Sequence, residues 1–238
     1  MTSGESRVTG MREIILDTET TGLDPATGDR IVEIGAIELL NHLPTGRTYH
    51  AYINPERDMP REAEAVHGLS SAFLKDKPTF SSIAQAFIAF IGEDRLVIHN
   101  AAFDLGFINV ELSYLGRPPI PRERVLDTLL LARQKHPTGS NSLDGLCRRY
   151  GIDNSKRTKH GALLDSELLA EVYLELIGGR QTALTLGVAV PTQVTRVQAS
   201  IGIAERVRPL APRLTAEDRE AHKAFVTSLG DGALWKPN

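Results

Sequence analysis

Short apolar runs bounded by polar and turn residues recur along the first half of the chain. Ile14-Ile15-Leu16 and Leu96-Val97-Ile98 are two of them, and runs of this length are typical of buried strands. Turn residues between 41 and 46 join the second and third predicted strands, so we expect an antiparallel hairpin there. The pattern predicts strands over 13–17, 31–40, 47–53, 96–99 and 124–127.

Apolar residues spaced for one helix face become the dominant pattern farther along. The clearest case is a predicted helix over 161–177, in which Leu164, Leu168 and Val172 recur every four residues. A helix over 101–115 is expected to begin after Asn100, a residue type that favours helix N-caps, and another is expected around 142–150. The chain therefore predicts an α/β fold whose sheet opens antiparallel and whose later strands alternate with helices.

The pattern changes after Gly178-Gly179. Residues 187–211 are rich in Val, Ala, Thr, Pro and Arg without helical periodicity, which indicates a linker. Thr215 then begins a helix to about Leu229, and a single short helix cannot bury its apolar face alone. This tail, with Trp235 near its end, needs a partner or must fold back. We divide the chain into a flexible lead (1–11), a main domain (12–180), a linker (181–211) and a helical tail (212–238).

Composition limits the class of protein. The chain has 238 residues, of which 41% are hydrophobic, and this suits a globular enzyme. No stretch approaches the roughly 18 apolar residues of a membrane span, and the polar N-terminus lacks the apolar core of a signal peptide. The lone Cys147 excludes an internal disulfide and suits a reducing cytosol. We therefore expect a cytoplasmic enzyme.

Four acidic side chains and one histidine form the candidate chemistry. Asp17 and Glu19 lie two residues apart at the end of the first strand, so both share one face. Asp104 falls in the first turn of a predicted helix, and His160 precedes Asp165 on another. Singly they have ordinary explanations, because Asp104 suits the helix macrodipole and loop histidines are commonly exposed. Together they suit Mg²⁺ or Mn²⁺ and metal-assisted cleavage of a phosphodiester.

Three longer motifs contain these five residues. They are Asp17-Thr18-Glu19-Thr20-Thr21-Gly22, Val97-Ile98-His99-Asn100-Ala101-Ala102-Phe103-Asp104, and Asp153-Asn154-Ser155-Lys156-Arg157-Thr158 leading to His160-Gly161-Ala162-Leu163-Leu164-Asp165. In these motifs the chain resembles the DEDD family of 3′→5′ exonucleases, in its histidine-containing branch, and within it the proofreading enzymes of bacterial replication. The similarity is dense over 12–180 and looser in the tail, where Glu217-Asp218, Ala221-His222 and Leu234-Trp235 match.

The resemblance implies a fold and a reaction. The fold is ribonuclease-H-like, with a mixed five-stranded sheet flanked by helices. The reaction is hydrolysis of the 3′-terminal phosphodiester of single-stranded or mismatched DNA, which releases nucleoside 5′-monophosphates. An end that carries a mismatch suits such a site because unpairing costs least there.

The resemblance also implies a role for each site residue. His160 would be the general base, since an imidazole can accept a proton near neutral pH. The ligands of two Mg²⁺ or Mn²⁺ ions would be Asp17, Glu19, Asp104 and Asp165. The residues implied to bind the substrate are Glu19, Glu62, His67 and Asp165.

Charge and the tail indicate protein partners. Residues 181–238 carry 7 basic and 5 acidic side chains, and the rest of the chain carries 20 and 25. Because autonomous DNA binders usually show a basic face, so acidic a domain needs a tethering partner. The resemblance implies that this partner is the polymerase catalytic subunit, bound through 212–238. Gln181, Leu184 and Leu186 resemble the short peptides that dock on the bacterial sliding clamp, with ordinary linker sequence as the alternative.

Two other functions fit part of the pattern. A freestanding 3′ exonuclease for RNA ends or short oligonucleotides would use the same chemistry but would not need the tail. A catalytically silent adaptor of the replication machinery would be expected to lack one of the metal carboxylates, and none is missing. We therefore expect a proofreading exonuclease, with the freestanding enzyme as the alternative.

Overall fold

The computed structural model describes residues 10–155, 157, 159–178 and 215–228. Most of the predicted lead and the whole predicted linker, with Gln181, Leu184 and Leu186, lie outside these residues, as do Leu229 and Trp235 of the tail. The chain divides into two units, residues 1–186 and 187–238. The predicted catalytic residues all belong to the first unit, and the described part of the second contains one helix.

The first unit is built on a mixed five-stranded sheet, as predicted. The strand order is β3-β2-β1-β4-β5. β1 pairs with β2 and β2 with β3 in antiparallel fashion, whereas β1 pairs with β4 and β4 with β5 in parallel. The strands are β1 (Arg12–Thr20), β2 (Ile31–Leu40), β3 (Leu43–Tyr52), β4 (Arg95–Ile98) and β5 (Val125–Asp127).

The hairpin between β2 and β3 is tighter than the sequence predicted. Only Asn41 and His42 separate the strands, and both have left-handed backbone angles, with φ of 52° and 67°. A two-residue turn of this kind matches the right-handed twist of the flanking strands. The prediction that β3 begins at residue 47 was therefore wrong by four residues, because Pro44, Thr45 and Gly46 belong to the strand and not to the turn.

Helices cover both faces of the sheet. On one face Ile14 and Leu16 of β1 join a core with α3 and α4, and on the other Ile15 joins a core with α6 and α7. This alternation follows from the two-residue period of a strand buried on both sides. The helices of this unit are α1 (Arg61–His67), α2 (Ser71–Leu74), α3 (Phe80–Ile91), α4 (Ala101–Tyr114), α5 (Thr128–Lys135), α6 (Leu143–Tyr150) and α7 (Ala162–Leu176).

The start of α4 is capped differently from the prediction. Asn100 occupies the N-cap position, but its side chain makes no capping hydrogen bond and its φ is 63°. Asp127, at the end of β5, instead accepts hydrogen bonds from the backbone N–H groups of Asn100 (3.2 Å) and Ala101 (3.1 Å). The carboxylate thereby satisfies two of the unpaired N–H groups of a helix start and fixes α4 against the neighbouring strand.

The described part of the second unit is helix α8 (Ala216–Ser228). Thr215 and Asp218 bond reciprocally at its start: the Thr215 N–H donates to the Asp218 carboxylate, and the Asp218 N–H donates to the Thr215 hydroxyl. This pattern is a capping box, and the helix begins after Thr215, as the sequence predicted. Val226 is the buried residue of the helix, whereas Phe225 is 60% exposed. In the part of the chain that the structure describes, every helix is too short or too polar to span a lipid bilayer.

Candidate active site

Strand β1 carries two carboxylates near its carboxyl end, at one end of the sheet. Asp17 and Glu19 follow Ile15 at intervals of two residues, so they lie on the same face of the sheet as Ile15. Helix α7 covers this face. Glu19 is 8% exposed, while Asp17 keeps part of its surface open. The predicted pairing of these two side chains on one face is consistent with this register.

A glycine allows α7 to approach this end of the sheet closely. Gly35 of β2 lies opposite Asp17, and a Cβ atom on it would lie 2.2 Å from the backbone of Ala162 and Leu163. The Ser166 hydroxyl of α7 donates to the Gly35 carbonyl oxygen (3.0 Å). Because the first turn of α7 rests on β2 at this point, it brings Asp165, which is 3% exposed, to the same end of the sheet.

Asp104 reaches the site from the other side, on the first turn of α4. The backbone N–H of Thr18 and the Thr18 hydroxyl both donate to Asp104 Oδ1, at 3.0 and 2.7 Å. Asp104 is 3% exposed. Thr18 lies between the two β1 carboxylates in sequence, so these bonds tie the α4 carboxylate to the same strand end.

His160 stands at the rim, just before α7. Its backbone N–H donates to the Val66 carbonyl oxygen at the end of α1 (3.2 Å). Its Nδ1 lies 3.3 Å from Asp165 Oδ2, and its side chain is 47% exposed. Glu19, His160 and Asp165 each offer a ligand atom within 4.8 Å of the other two. The structure thus gathers the five predicted catalytic and metal-binding side chains.

These five side chains line one open cavity of about 680 Å³. Several other residues that line the cavity have no role predicted from the sequence. Leu23, directly after the first motif, is 85% exposed. The remaining lining residues are Thr18, His99, Asn100, Phe103, Leu129, Arg133, Ser142, Leu143, Asp144 and Arg157.

The carboxylates destabilise one another's charge. Burial and repulsion from Asp104, Glu19 and Asp165 raise the pKa of Asp17 well above its usual range. Burial and repulsion from Asp165 raise the pKa of Glu19 to about 8. Burial also raises the pKa of Asp104 to about 7, although its bonds from Thr18 oppose the rise. Without added positive charge, the cluster therefore holds protons near neutral pH.

Arg157 compensates one of the carboxylates. Its guanidinium donates two hydrogen bonds to Asp165, both of 2.6 Å, through Nε and Nη2. The remaining nitrogen, Nη1, lies 2.8 Å from Asp144 Oδ1. Burial would raise the pKa of Asp165, but the contact with His160 and the hydrogen bonds from Arg157 outweigh it and lower that pKa. Arg157 belongs to the third sequence motif, and only that motif could have indicated it.

Two of the residues predicted to bind the substrate, Glu62 and His67, are not among the residues that line the cavity. Glu62 is exposed in the first turn of α1. His67, at the end of α1, is 6% exposed; its Nδ1 accepts from the Leu69 N–H (3.0 Å). Its Nε2 is buried and has no hydrogen-bond partner in the described part of the chain, a condition that native proteins rarely leave unexplained. The buried His67 ring lies near the Thr20 backbone and near His160.

The fold and the site define a class of nuclease. Residues 14–173 match the family model RNase_T, described as Exonuclease. Exonuclease X in complex with 5′ overhanging duplex DNA has a similar fold, with a TM-score of 0.56 and 24% identity over 70% of this chain and 92% of that one. The nuclease domain of 3′hExo, a DEDDh family member bound to rAMP, has a TM-score of 0.62 and 17% identity over 72% and 94%. The predicted ribonuclease-H-like exonuclease fold is confirmed.

Similarity to curated relatives is higher and extends over nearly the whole chain. DNA polymerase III subunit epsilon of Rickettsia typhi (strain ATCC VR-144 / Wilmington) is 48% identical over 226 residues, 93% of this chain and 98% of the relative. The subunit of the same name from Escherichia coli (strain K12) is 45% identical over 241 residues, 94% and 97%. The chain therefore belongs to the DNA polymerase III epsilon subunits, within the exonuclease family, and is a 3′→5′ exonuclease.

Proposed function

We propose that the chain proofreads DNA during replication by hydrolysing the 3′-terminal phosphodiester at this cavity. His160 is the general base, and the convergence of all five predicted side chains on one open cavity carries the proposal. The ligands of two divalent cations are Asp17, Glu19, Asp104 and Asp165. The substrate is a single-stranded or mismatched DNA 3′ end, and the products are nucleoside 5′-monophosphates.

The donor set fits divalent cations. As a member of this exonuclease family, the chain depends on divalent metal ions. Carboxylate oxygens are the ligands that Mg²⁺ and Mn²⁺ prefer, and the raised pKa values of Asp17 and Glu19 indicate a site that lacks positive charge. When bound, such ions would lower the pKa of the attacking water and stabilise negative charge on the leaving 3′ oxygen. We propose Mg²⁺ or Mn²⁺ for this role.

His160 is suited to move the proton. It lies against Asp165 but keeps half of its ring surface in contact with solvent. An imidazole in this position can take a proton from the attacking water and pass it to bulk solvent. The bond from its backbone N–H to the Val66 carbonyl oxygen fixes the loop that carries it.

The walls of the cavity favour an unpaired end. Leu23 is 85% exposed, and it lines the cavity together with Phe103. Apolar and aromatic surfaces stabilise single-stranded bases by stacking, without reading their identity. Mismatched 3′ ends are then hydrolysed preferentially, because the cost of unpairing an end is lowest at a mismatch. Glu62 and the unpaired Nε2 of His67 are assigned to the terminal nucleotide as part of the same proposal.

Replacing His160 by Ala tests the mechanism. We expect turnover on single-stranded DNA to fall by roughly 10²–10⁴-fold, the usual contribution of a general base, while calorimetric Mn²⁺ affinity stays near the wild-type value. His136→Ala, at a histidine that bonds Tyr150 outside the cavity, is the matched control and should retain activity. A collapse of Mn²⁺ affinity in His160→Ala would identify His160 as a ligand instead.

Substrate choice separates proofreading from the freestanding alternative. We expect single-stranded and mismatched DNA 3′ ends to be degraded faster than paired ends, and paired ends to speed up with temperature as they fray. Equal rates on blunt duplex and single strand, or faster degradation of RNA, would favour the freestanding enzyme. The likeness to epsilon subunits covers 93–94% of the chain and so leaves out a smaller share than the tail occupies. It therefore reaches into the tail, which supports proofreading.

The partners follow from the same likeness. Membership of the epsilon subunits implies a polymerase partner and a DNA substrate. We propose that the tail, residues 212–238, binds the polymerase catalytic subunit, and that Gln181, Leu184 and Leu186 bind the sliding clamp. A double variant, Gln181→Ala with Leu184→Ala, should then weaken stimulation by the clamp and leave the clamp-free rate unchanged.

A further inference from the structure

Arg157 is a charged residue of the cavity, with a mostly buried side chain, to which the proposed mechanism gives no role. Its Nε donates to Asp165 Oδ1 and one Nη donates to Asp165 Oδ2, each at 2.6 Å. Its side chain is only 8% exposed. The guanidinium therefore bonds both oxygens of a carboxylate that the proposed function assigns to a divalent cation. Two cations that share one carboxylate repel each other, so the arginine disfavours close coordination of a metal ion by Asp165.

The same side chain engages the proposed base. An Nη of Arg157 lies 2.7 Å from His160 Nδ1. A guanidinium has donors and no acceptor, so Nδ1 must be the acceptor of this bond. While the bond persists, the lone pair of Nδ1 is not available to a proton from water. One arginine thus restrains both Asp165 and His160.

Asp144 offers Arg157 a second position. It lies on the cavity wall with its side chain 46% exposed, and its Oδ1 is 2.8 Å from Arg157 Nη1. The side-chain amide of Asn154 donates to the same oxygen (2.9 Å), which fixes the carboxylate. Arg157 can therefore release Asp165 and still keep an ion pair at the rim of the cavity.

We propose that Arg157 is the resident counter-ion of the metal-free site and that a divalent cation displaces it from Asp165 onto Asp144. This inference rests on the proposed function, because it takes Asp165 as a metal ligand. The arginine stabilises the metal-free fold, since an unpaired buried carboxylate is costly. It also weakens metal binding, because each ion must first break a bidentate, charge-assisted pair.

The test is a Mn²⁺ titration of the full chain by calorimetry, without DNA, combined with thermal melting. Arg157→Gln removes the charge and keeps a side chain of similar reach. We expect it to bind Mn²⁺ roughly tenfold more tightly, about the strength of one charge-assisted hydrogen bond. It should also melt below wild type in a chelator and show a larger rise in Tm on saturation with Mn²⁺. Arg157→Lys, which keeps the charge but loses the bidentate fork, should be intermediate.

Arg133→Gln separates direct competition from a general effect of charge. Arg133 lines the same cavity, while the basic groups on the Asp165 carboxylate in the described structure are Arg157 and His160. We expect its Mn²⁺ affinity to change by less than about twofold. An equal gain in both variants, or unchanged or weaker binding in Arg157→Gln, would overturn the inference and leave the proposed function intact. If wild type bound no Mn²⁺ at all, both would fail.

Discussion

Asp17, Glu19 and Asp104 are carboxyl groups whose pKa values rise in the folded chain, because burial and repulsion from neighbouring carboxylates disfavour their charge. In the unfolded chain these groups titrate near pH 4. Between that value and the folded pKa, the native protein binds more protons than the unfolded one. The stabilisation is therefore present at low pH and is lost as pH rises towards 7–8. The arrangement that attracts metal ions thus weakens the metal-free fold at neutral pH.

Asp17→Asn should relieve this repulsion. In a chelator, we expect the variant to melt close to wild type at pH 5 and about 2–6 °C above it at pH 8, because wild type loses stability over that interval and the variant loses less. Calorimetric melting of both proteins at several pH values measures the difference. The same variant should lose activity, because a metal ligand is missing.

Saturating Mn²⁺ provides the control for the pH effect. Bound cations supply the missing positive charge, so the pH dependence of wild-type melting should become shallower. Asp94→Asn, which loses an ion pair with Arg12 away from the cavity, should not reproduce the pH-dependent gain. A constant difference between Asp17→Asn and wild type from pH 5 to pH 8 would contradict the electrostatic explanation.

Single residues were predictable from the sequence where a motif carried them. Asp17, Glu19, Asp104, His160 and Asp165 lie within three motifs, and the structure brings them to one cavity. The role of Arg157 was not predictable, because it depends on Asp144 and Asp165, which come from two separate helices. The capping of α4 was missed for the same reason, since the cap comes from Asp127 on another strand.

At the scale of elements, the contact between α7 and β2 sets the position of Asp165. The first turn of α7 lies so close to Gly35 that any Cβ there would meet helix backbone at 2.2 Å. Backbone cannot move as easily as the end of a flexible side chain, so the helix must shift as a whole. A displaced α7 would carry Asp165 away from Asp17, and catalytic geometry tolerates little displacement.

Gly35→Ala should therefore damage both stability and activity. We expect a loss of several kcal/mol in the free energy of unfolding, in the range of severe overpacking, and a fall in kcat of at least about 10²-fold. Gly106→Ala is the matched control: Gly106 lies within α4, and a Cβ there would meet nothing within 4 Å. It should be neutral or stabilising by up to about 1 kcal/mol. Denaturant unfolding and single-strand hydrolysis of both variants check this, and wild-type behaviour of Gly35→Ala would refute the argument.

The elements themselves were predictable where their periodicity was long. The helices predicted over 101–115, 142–150 and 161–177 are observed as α4, α6 and α7 within one residue at each end. Helices α1 and α2 have seven and four residues, too short for a periodic signal. Helix α3 could have been found, since its buried residues Phe80, Ala84, Phe87 and Ile91 follow the helical period.

At the scale of the whole molecule, the chain combines a catalytic unit with a separate C-terminal unit. From the change of pattern after Gly178-Gly179 we predict a main domain that ends at residue 180; in the structure, the boundary between the two units falls between residues 186 and 187. In α8, Phe225 is 60% exposed, and an exposed aromatic side chain on a capped helix is typical of a protein-binding surface. Sequence alone could not supply the geometry of such a surface, because binding depends on the partner.

Deleting residues 212–238 should separate binding from catalysis. We expect the truncated chain to lose binding to the polymerase catalytic subunit, because the deletion removes α8 and its exposed Phe225. Hydrolysis of single-stranded DNA should stay within about twofold of wild type, because the five side chains of the proposed active site belong to the first unit. Pull-down with purified polymerase subunit and a single-strand assay measure the two properties on the same preparations.

A pair of point variants localises this binding to the apolar surface of α8. Phe225→Ala should weaken the pull-down by about tenfold or more, the loss usually seen at an aromatic anchor of an interface. Lys223→Ala, at an exposed polar position of the same helix, should bind nearly as wild type, because exposed charges contribute little. Both variants keep the Thr215–Asp218 cap, so helix formation is not the variable. Equal recovery of the truncated and full-length chains would refute the assignment of the tail as the polymerase-binding segment.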